Sequence, residues 1–124
     1  MIRIVFLLFL QLSLVVSAQT KGEVLSFLTS LGCEHAEIVT KQSILECGHK
    51  YESYGAKKRN NLFGLWNHPK QEFFKFSHWK ESCKAYMSMI YYKLEDNENY
   101  FEFLSRIGYA TDEKYIFKIK QIKM

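Results

Sequence analysis

Residues 44–66, Ile-Leu-Glu-Cys-Gly-His-Lys-Tyr-Glu-Ser-Tyr-Gly-Ala-Lys-Lys-Arg-Asn-Asn-Leu-Phe-Gly-Leu-Trp, constrain this chain more than any other stretch. Glu46 falls at the end of an apolar helical run, and Gly48 stands where such a helix stops. A basic run follows, Lys57-Lys58-Arg59, and then Asn60-Asn61-Leu62-Phe63-Gly64-Leu65-Trp66, which mixes amides with two large aromatics. A carboxyl held against apolar surface, opposite amides and ring faces, suits a saccharide. Phe and Trp rings fit the C–H faces of pyranoses, and amides satisfy hydroxyl and acetamido groups.

The periodicity around this stretch is helical. Val24, Leu25, Phe27, Leu28 and Leu31 recur at helical spacing before Gly32 and predict a packing helix. Across residues 35–47, Ala36, Ile38, Val39, Ile44 and Leu45 spread around much of the circumference. That pattern predicts a buried helix that carries Glu46 to the edge of a cleft, where desolvation raises a carboxyl pKa toward working pH. From 49 to 77 the period fails and Gly55, Asn60, Asn61, Gly64, Asn67 and Pro69 gather into a long irregular region. Within it, 72–76 alternates as a strand, and 62–66 is expected to pair with it across Asn67-His68-Pro69.

Trp79, Cys83, Tyr86, Ile90 and Leu94 form one stripe and predict a long helix from about His78. A turn at 96–99 leads into a short helix with Tyr100, Phe101, Leu104 and Ile107 inward, closed by Gly108. The last helix takes Thr111 or Asp112 as its N-cap and carries Tyr115, Ile116 and Ile119. The expected fold is one small mainly α (α+β) domain, with a β-hairpin flap over a cleft.

At 124 residues the chain allows a single domain. Residues 1–18 read as a secretory signal peptide: Arg3, an apolar run over 4–10, a second apolar run, and Val16-Ser17-Ala18 as a small-residue cleavage site. The rival, an uncleaved membrane anchor, meets Gln11 inside the run and a length short of the roughly 20 apolar residues of a spanning helix. The folded domain is then 19–124. Losing Arg3 takes the net charge from +4 to +3. Such a mild excess suits an anionic envelope polymer without selecting it, and scattered basic residues on an exported chain argue against nucleic acid. The expected location is the periplasm or the cell exterior, in association with the wall. The expected state is a monomer with no stable membrane insertion.

Cys33, Cys47 and Cys83 make a poor disulfide framework and read as buried thiols packed like small apolar residues. Cys47 lies beside His49 and Glu46, but a Cys and His two positions apart, with nothing to orient the imidazole, do not make a nucleophile. His35, His49, His68 and His78 show no His-x-x-x-His spacing, and there is no Cys-x-x-Cys, so neither metal nor cofactor is implied.

Three runs carry a resemblance: Ile44-Leu45-Glu46-Cys47-Gly48, Asn60-Asn61-Leu62-Phe63-Gly64-Leu65 and Gly108-Tyr109-Ala110-Thr111-Asp112-Glu113-Lys114-Tyr115. In residues and order they resemble the peptidoglycan glucosaminidase family, which includes the hydrolase domain of flagellar rod-assembly proteins and many bacterial autolysins. The resemblance covers most of the chain after residue 18. It implies a lysozyme-like fold and an endo-β-N-acetylglucosaminidase, which cuts the β-1,4 bond on the reducing side of N-acetylglucosamine in peptidoglycan glycan strands.

Glycoside hydrolysis needs an acid for the leaving oxygen and a second group for the oxocarbenium-like transition state or the water. Glu46 matches the family's general acid, the Glu of its Leu-Glu-x-Gly signature; Cys47 departs from the Thr or Ser usual beside it. The resemblance puts the second carboxylate in the variable flap, where Glu72 is the candidate and Glu52 and Glu81 compete. If Glu72 points away from the cleft and nothing replaces it, turnover is in question. Tyr109 matches the family's cleft tyrosine, able to bond an acetamido group. Asn61, Phe63, Trp66 and Tyr115 are candidate substrate contacts. Asn61 and Phe63 equally suit shaping the turn and anchoring the flap, and Tyr115 suits packing. Lys57-Lys58-Arg59 reads as a solvated loop or as a contact for peptide-stem carboxylates. Two rival functions stay open: a non-catalytic wall-binding or assembly module, and a muramidase or lytic transglycosylase using the same cleft.

Overall fold

Thr20 opens the first helix, α1 (Lys21–Ser30), with a reciprocal cap: its Oγ1 accepts the Glu23 N–H at 3.2 Å, and Glu23 Oε1 accepts the Thr20 N–H at 3.2 Å. This computed structural model describes residues 19–124, and the signal-peptide reading falls outside the described residues. Five helices follow: α2 (Ala36–Cys47), α3 (Tyr54–Arg59), α4 (Trp79–Met89), α5 (Tyr100–Arg106) and α6 (Glu113–Gln121). Between α3 and α4 a two-stranded antiparallel sheet pairs β1 (Trp66–Asn67) with β2 (Glu72–Phe73). The fold is mainly helical with one small hairpin. Among the described residues, no helix is long and apolar enough to cross a membrane.

Helix α2 is the axis of the body, with α1, α3 and α6 packed against it and α4 packed on α1. Val24, Leu28, Val39, Leu62, Cys83, Phe103, Leu104 and Ile119 are fully buried around it. Thr40, Gln42 and Ser43 of α2 are fully buried too, so each must find a partner. Thr40 Oγ1 donates to Ala36 O (2.7 Å), and Ser43 Oγ donates to Thr40 O (2.6 Å) and lies 2.8 Å from Tyr51 Oη. Gln42 Oε1 sits before the Tyr86 and Tyr100 hydroxyls, at 3.2 and 2.7 Å, and those oxygens are 2.5 Å apart. Sequence periodicity foresaw a buried helix but not that three of its seven buried residues, Thr40, Gln42 and Ser43, are polar.

Four expectations change. The irregular region contains a helix, α3, started by Ser53, whose Oγ accepts the Ala56 N–H at 3.2 Å. Lys57, Lys58 and Arg59 fill its last turn, where cations meet the negative end of the helix. The hairpin is shorter than 62–66 against 72–76: only Trp66↔Phe73 and Asn67↔Glu72 pair. The buried Asn61 side chain takes the place of a longer ladder. Its Nδ2 donates to Leu65 O (2.9 Å) and Phe74 O (3.0 Å), and its Oδ1 accepts the Leu65 N–H (2.9 Å).

The helix from His78 ends at Met89, not near Leu94. Ile90 breaks the α geometry, Tyr91–Lys93 tightens to a 3-10 turn, and Leu94 is extended. Arg106 holds that turn, with Nη2 donating to Lys93 O (2.9 Å) while Nε engages Glu98 (2.7 Å). Tyr91 thereby reaches back, and its hydroxyl accepts the His35 N–H at 3.3 Å. In α5 it is Phe103, beside Tyr100 and Leu104, that is fully inward; Phe101 and Ile107 are half-buried.

Candidate active site

Glu46 occupies the last turn of α2, which ends because Gly48 adopts φ +85°, a left-handed conformation that favours glycine. Its backbone N–H closes the helix on Ile44 O at 2.7 Å. The chain then returns through α3 to the Asn61–Gly64 loop. Gly64, at φ +61°, lies so close to Glu46 that a Cβ there would stand 3.1 Å from Glu46 Oε2. A side chain at 64 would displace the carboxyl.

The residue as a whole is exposed at the surface, but its carboxyl faces protein, and desolvation raises its pKa above the ordinary glutamate value. It lines a recess of about 280 Å³ with Ser53, Tyr54, Arg59, Gly64 and Phe73. Cys47 seals the floor, its buried thiol donating to Leu62 O at 3.3 Å. Burial pushes that thiol up to about 11, which leaves it protonated and unreactive at neutral pH. All three cysteines are free and buried.

The third motif closes on the same place. Tyr109 Oη donates to Phe63 O at 3.1 Å, so its proton is committed and its oxygen remains an acceptor. Its ring stands edge-to-face against Tyr86 (6.1 Å) and Tyr115 (5.9 Å). Burial first, then the neighbouring tyrosines and the Glu46 charge, holds its pKa well above the usual value. Tyr115 is pushed up to about 12, again by burial and by Glu46. Its buried hydroxyl and the nearby Gln42 Nε2 have no hydrogen-bond partner in the structure. Glu46, the Asn61–Gly64 loop and the Tyr109–Tyr115 pair therefore form one cluster.

The other expected site residues lie as follows. Asn61 borders the recess, with its amide engaged on backbone groups as described. Phe63 is buried and stacks on Tyr86 at 4.6 Å. Trp66 stands on the hairpin, 36% exposed and edge-to-face with Phe73 at 4.9 Å. Glu72 is exposed and pairs with Asn67. It lines a neighbouring groove of about 820 Å³, together with Trp66, and is absent from the recess of Glu46. Tyr54, Arg59 and Phe73 line both spaces, so recess and groove share a wall. Of the competing carboxylates, Glu81 is exposed on α4 and pairs with Lys84 at 3.4 Å, and Glu52 is exposed before α3.

Sequence reasoning missed Tyr54 and Phe73 as cleft residues, and it left Lys57-Lys58-Arg59 between a solvated loop and a contact for peptide-stem carboxylates. The signal was there: Ser53 as a cap, then Ala-Lys-Lys-Arg, makes a helix that aims its basic end at the hairpin. Gly55 in its first turn hid it. A larger recess of about 870 Å³, with Glu34, His35, Tyr91 and Glu98 in its wall, contains none of the motif residues. Among the described residues no group of three His, Cys, Asp or Glu could hold a metal ion.

A family model described as mannosyl-glycoprotein endo-beta-N-acetylglucosaminidase matches residues 29–123. No curated protein and no solved structure matches the chain.

Proposed function

The chain belongs to the glucosaminidase family of glycoside hydrolases, and from that membership we propose that it is an exported endo-β-N-acetylglucosaminidase acting on peptidoglycan. The bond cut is the β-1,4 linkage on the reducing side of N-acetylglucosamine. The observation that carries this reading is the desolvated Glu46 carboxyl at 3.1 Å from the position of a Gly64 Cβ, with Tyr109 beside it.

Glu46 acts as general acid. Desolvation keeps its proton on to higher pH than an ordinary glutamate, and that proton goes to the leaving glycosidic oxygen. Tyr109, with its own proton spent on Phe63 O, accepts from the acetamido N–H of the reacting sugar, and Tyr115 backs it. Trp66 and Phe73 offer ring faces to the adjoining sugars, and the Asn61 brace fixes the loop that carries Phe63 and Gly64. Glu72 serves as the second carboxylate when the hairpin closes toward the recess. The mature protein works in the periplasm or outside the cell, on the wall, as a monomer.

Glu72 is also the residue that favours a second reading. Because it lines the groove and not the recess, a wall-binding module without turnover is the rival. Digestion of purified peptidoglycan by the mature protein and by Glu46→Gln, with mass analysis of borohydride-reduced products, separates the readings. Fragments ending in reduced N-acetylglucosamine, absent with Glu46→Gln, support the proposal. Muramic-acid ends transfer the same cleft to a muramidase or lytic transglycosylase. Binding without any released fragment leaves the module.

A further inference from the structure

The groove beside the recess is built for charge as well as for sugar rings. Its wall carries Lys58, Arg59, Lys70 and Lys75 against one acid, Glu72. Arg59 is the centre of it. The guanidinium carbon lies 4.9 Å from the Tyr54 ring centroid and 4.6 Å from that of Phe73. Two aromatic contacts hold the plane and leave its donor edge for another planar group. No carboxylate of the described residues pairs with it. Its Nε is buried without a hydrogen-bond partner among the described residues, and its Nη2 lies over Gly55, 3.5 Å from where a Cβ would be, an ordinary van der Waals separation.

A half-buried guanidinium, clamped by rings and lacking an anion, is an unfilled carboxylate site. A carboxylate matches its fork with two parallel charge-assisted bonds. Because Arg59 lines both spaces, an anion on it would belong to the same ligand whose sugar lies over Glu46.

We propose that Arg59 is a substrate-specificity residue that reads a carboxylate borne by the glycan, so that the cleft selects acidic strands over neutral ones. The inference rests on the reading that the Glu46 recess receives a glycan. The carboxylate has two possible sources, the acids of the attached peptide and, at sugars that carry no peptide, the free lactyl ether acid, which peptide attachment otherwise converts to a neutral amide. Both offer the same planar anion.

The test is calorimetric binding, which does not depend on turnover. The mature protein is titrated with soluble peptidoglycan strands, with the same strands whose carboxyls are capped as neutral methylamides, and with neutral N-acetylglucosamine oligomers. The wild type is expected to bind uncapped strands about tenfold tighter than capped strands or neutral oligomers, the gain of one good charge-assisted pair. Arg59→Gln should collapse that ratio toward one, and Arg59→Lys should keep only part of it, having the charge without the fork. Lys70→Gln, which removes an equal charge from the same wall, should reduce the ratio less.

Equal wild-type binding of capped and uncapped strands overturns the proposal without any variant, and so does an equal loss in Lys70→Gln and Arg59→Gln. Strands stripped of peptide by an amidase identify the source. The amidase frees one lactyl carboxyl on each stripped sugar, so these strands are compared with a methylamide-capped portion of themselves: tighter binding of the uncapped form assigns the site to the lactyl acid as well, and equal binding assigns it to the peptide acids alone. A protein that prefers acidic strands yet cuts nothing fails the hydrolase reading alone. One that cuts and binds capped and uncapped strands equally fails this inference alone.

Discussion

The two sides of the cleft are made of different material. On one side, Glu46 rides the end of α2, braced by a buried tyrosine cluster and by a loop pinned through Asn61. Charge is disfavoured there: Glu46, Cys47, Tyr109 and Tyr115 are all raised by burial. On the other side, α3 and the hairpin present Tyr54, Trp66 and Phe73 at 67, 36 and 42% exposure around Arg59. Under the proposed function the difference divides the labour. Proton chemistry needs a dry, fixed acid, which a helix end packed into the core supplies. Recognition of a long charged polymer needs an open wall of rings and cations, which a short helix and a two-residue hairpin supply at little structural cost.

The comparison breaks first at Glu46. Glu46→Gln should lower kcat/KM on peptidoglycan by about 10²–10⁴, the usual share of a positioned general acid, with strand binding retained. The alkaline limb of the wild-type pH–rate profile should lie above the ordinary glutamate range, because the acid must be protonated and desolvation keeps it so. Stability should move the opposite way to activity. A raised folded-state pKa contributes stability that is complete below the unfolded value and is lost as pH rises through the folded one. Melting temperatures across pH should therefore show Glu46→Gln gaining on the wild type from acid toward neutral. A variant that tracks the wild type at every pH would remove Glu46 from the dry side.

Asn61 tests the brace that joins the two sides. Its amide satisfies Leu65 N–H, Leu65 O and Phe74 O. Asn61→Ala should cost about 3 kcal/mol in chemical denaturation, since buried backbone partners are left unmade. Because the Leu65–Phe74 connection is the root of the hairpin, kcat should fall with it. A loss of stability under about 1 kcal/mol would mean that water replaces the amide without harm.

Much of the dry side was legible in the sequence, and little of the wet side was. Helix period, Gly48 and the Asp112 cap located α2 and α6, and the Glu46–Gly48 spacing placed the acid at a helix end. Asn61 was ambiguous because an amide shows its type but not its partners, which come from Leu65 and Phe74, four and thirteen residues away. The hairpin was drawn too long because alternation over 72–76 says nothing about which backbone groups a side chain has already claimed. The α4 stripe ran past its true end because Leu94 fits the period, while the turn that replaces the helix there is bonded by Arg106, thirteen residues on from Lys93. Arg59 was legible as a charge, and as a contact for peptide-stem carboxylates only together with Lys57 and Lys58 and only as the alternative to a solvated loop, since what sets it apart comes from Phe73 across the groove.

Trp66 probes the open wall alone. Trp66→Ala should raise KM on glycan strands about fivefold to tenfold, roughly 1 kcal/mol of lost ring contact, while kcat stays within about twofold and the melting temperature barely moves. The ring packs on Phe73, itself exposed, and not into the core. If kcat falls as far as KM rises, the hairpin takes part in forming the transition state, and the two walls do not divide binding from chemistry.

The smallest effect is expected at the seam, where Cys47 Sγ donates to Leu62 O at 3.3 Å and ties the end of α2 to the loop of Phe63 and Gly64. Cys47→Ser exchanges a weak thiol donor for a hydroxyl, which bonds a carbonyl more strongly but at shorter range, so the loop must close by a few tenths of an ångström. It also gives up buried sulfur surface, since Cys packs as a small hydrophobe. The two changes oppose each other, and the net should stay within about 1 kcal/mol in denaturant unfolding. Activity should stay within about twofold, because a thiol pushed up to about 11 offers no nucleophile at working pH. A Cys47→Ser protein that folds normally and has lost turnover would give the sulfur a chemical role, and the acid of the dry side would no longer act alone.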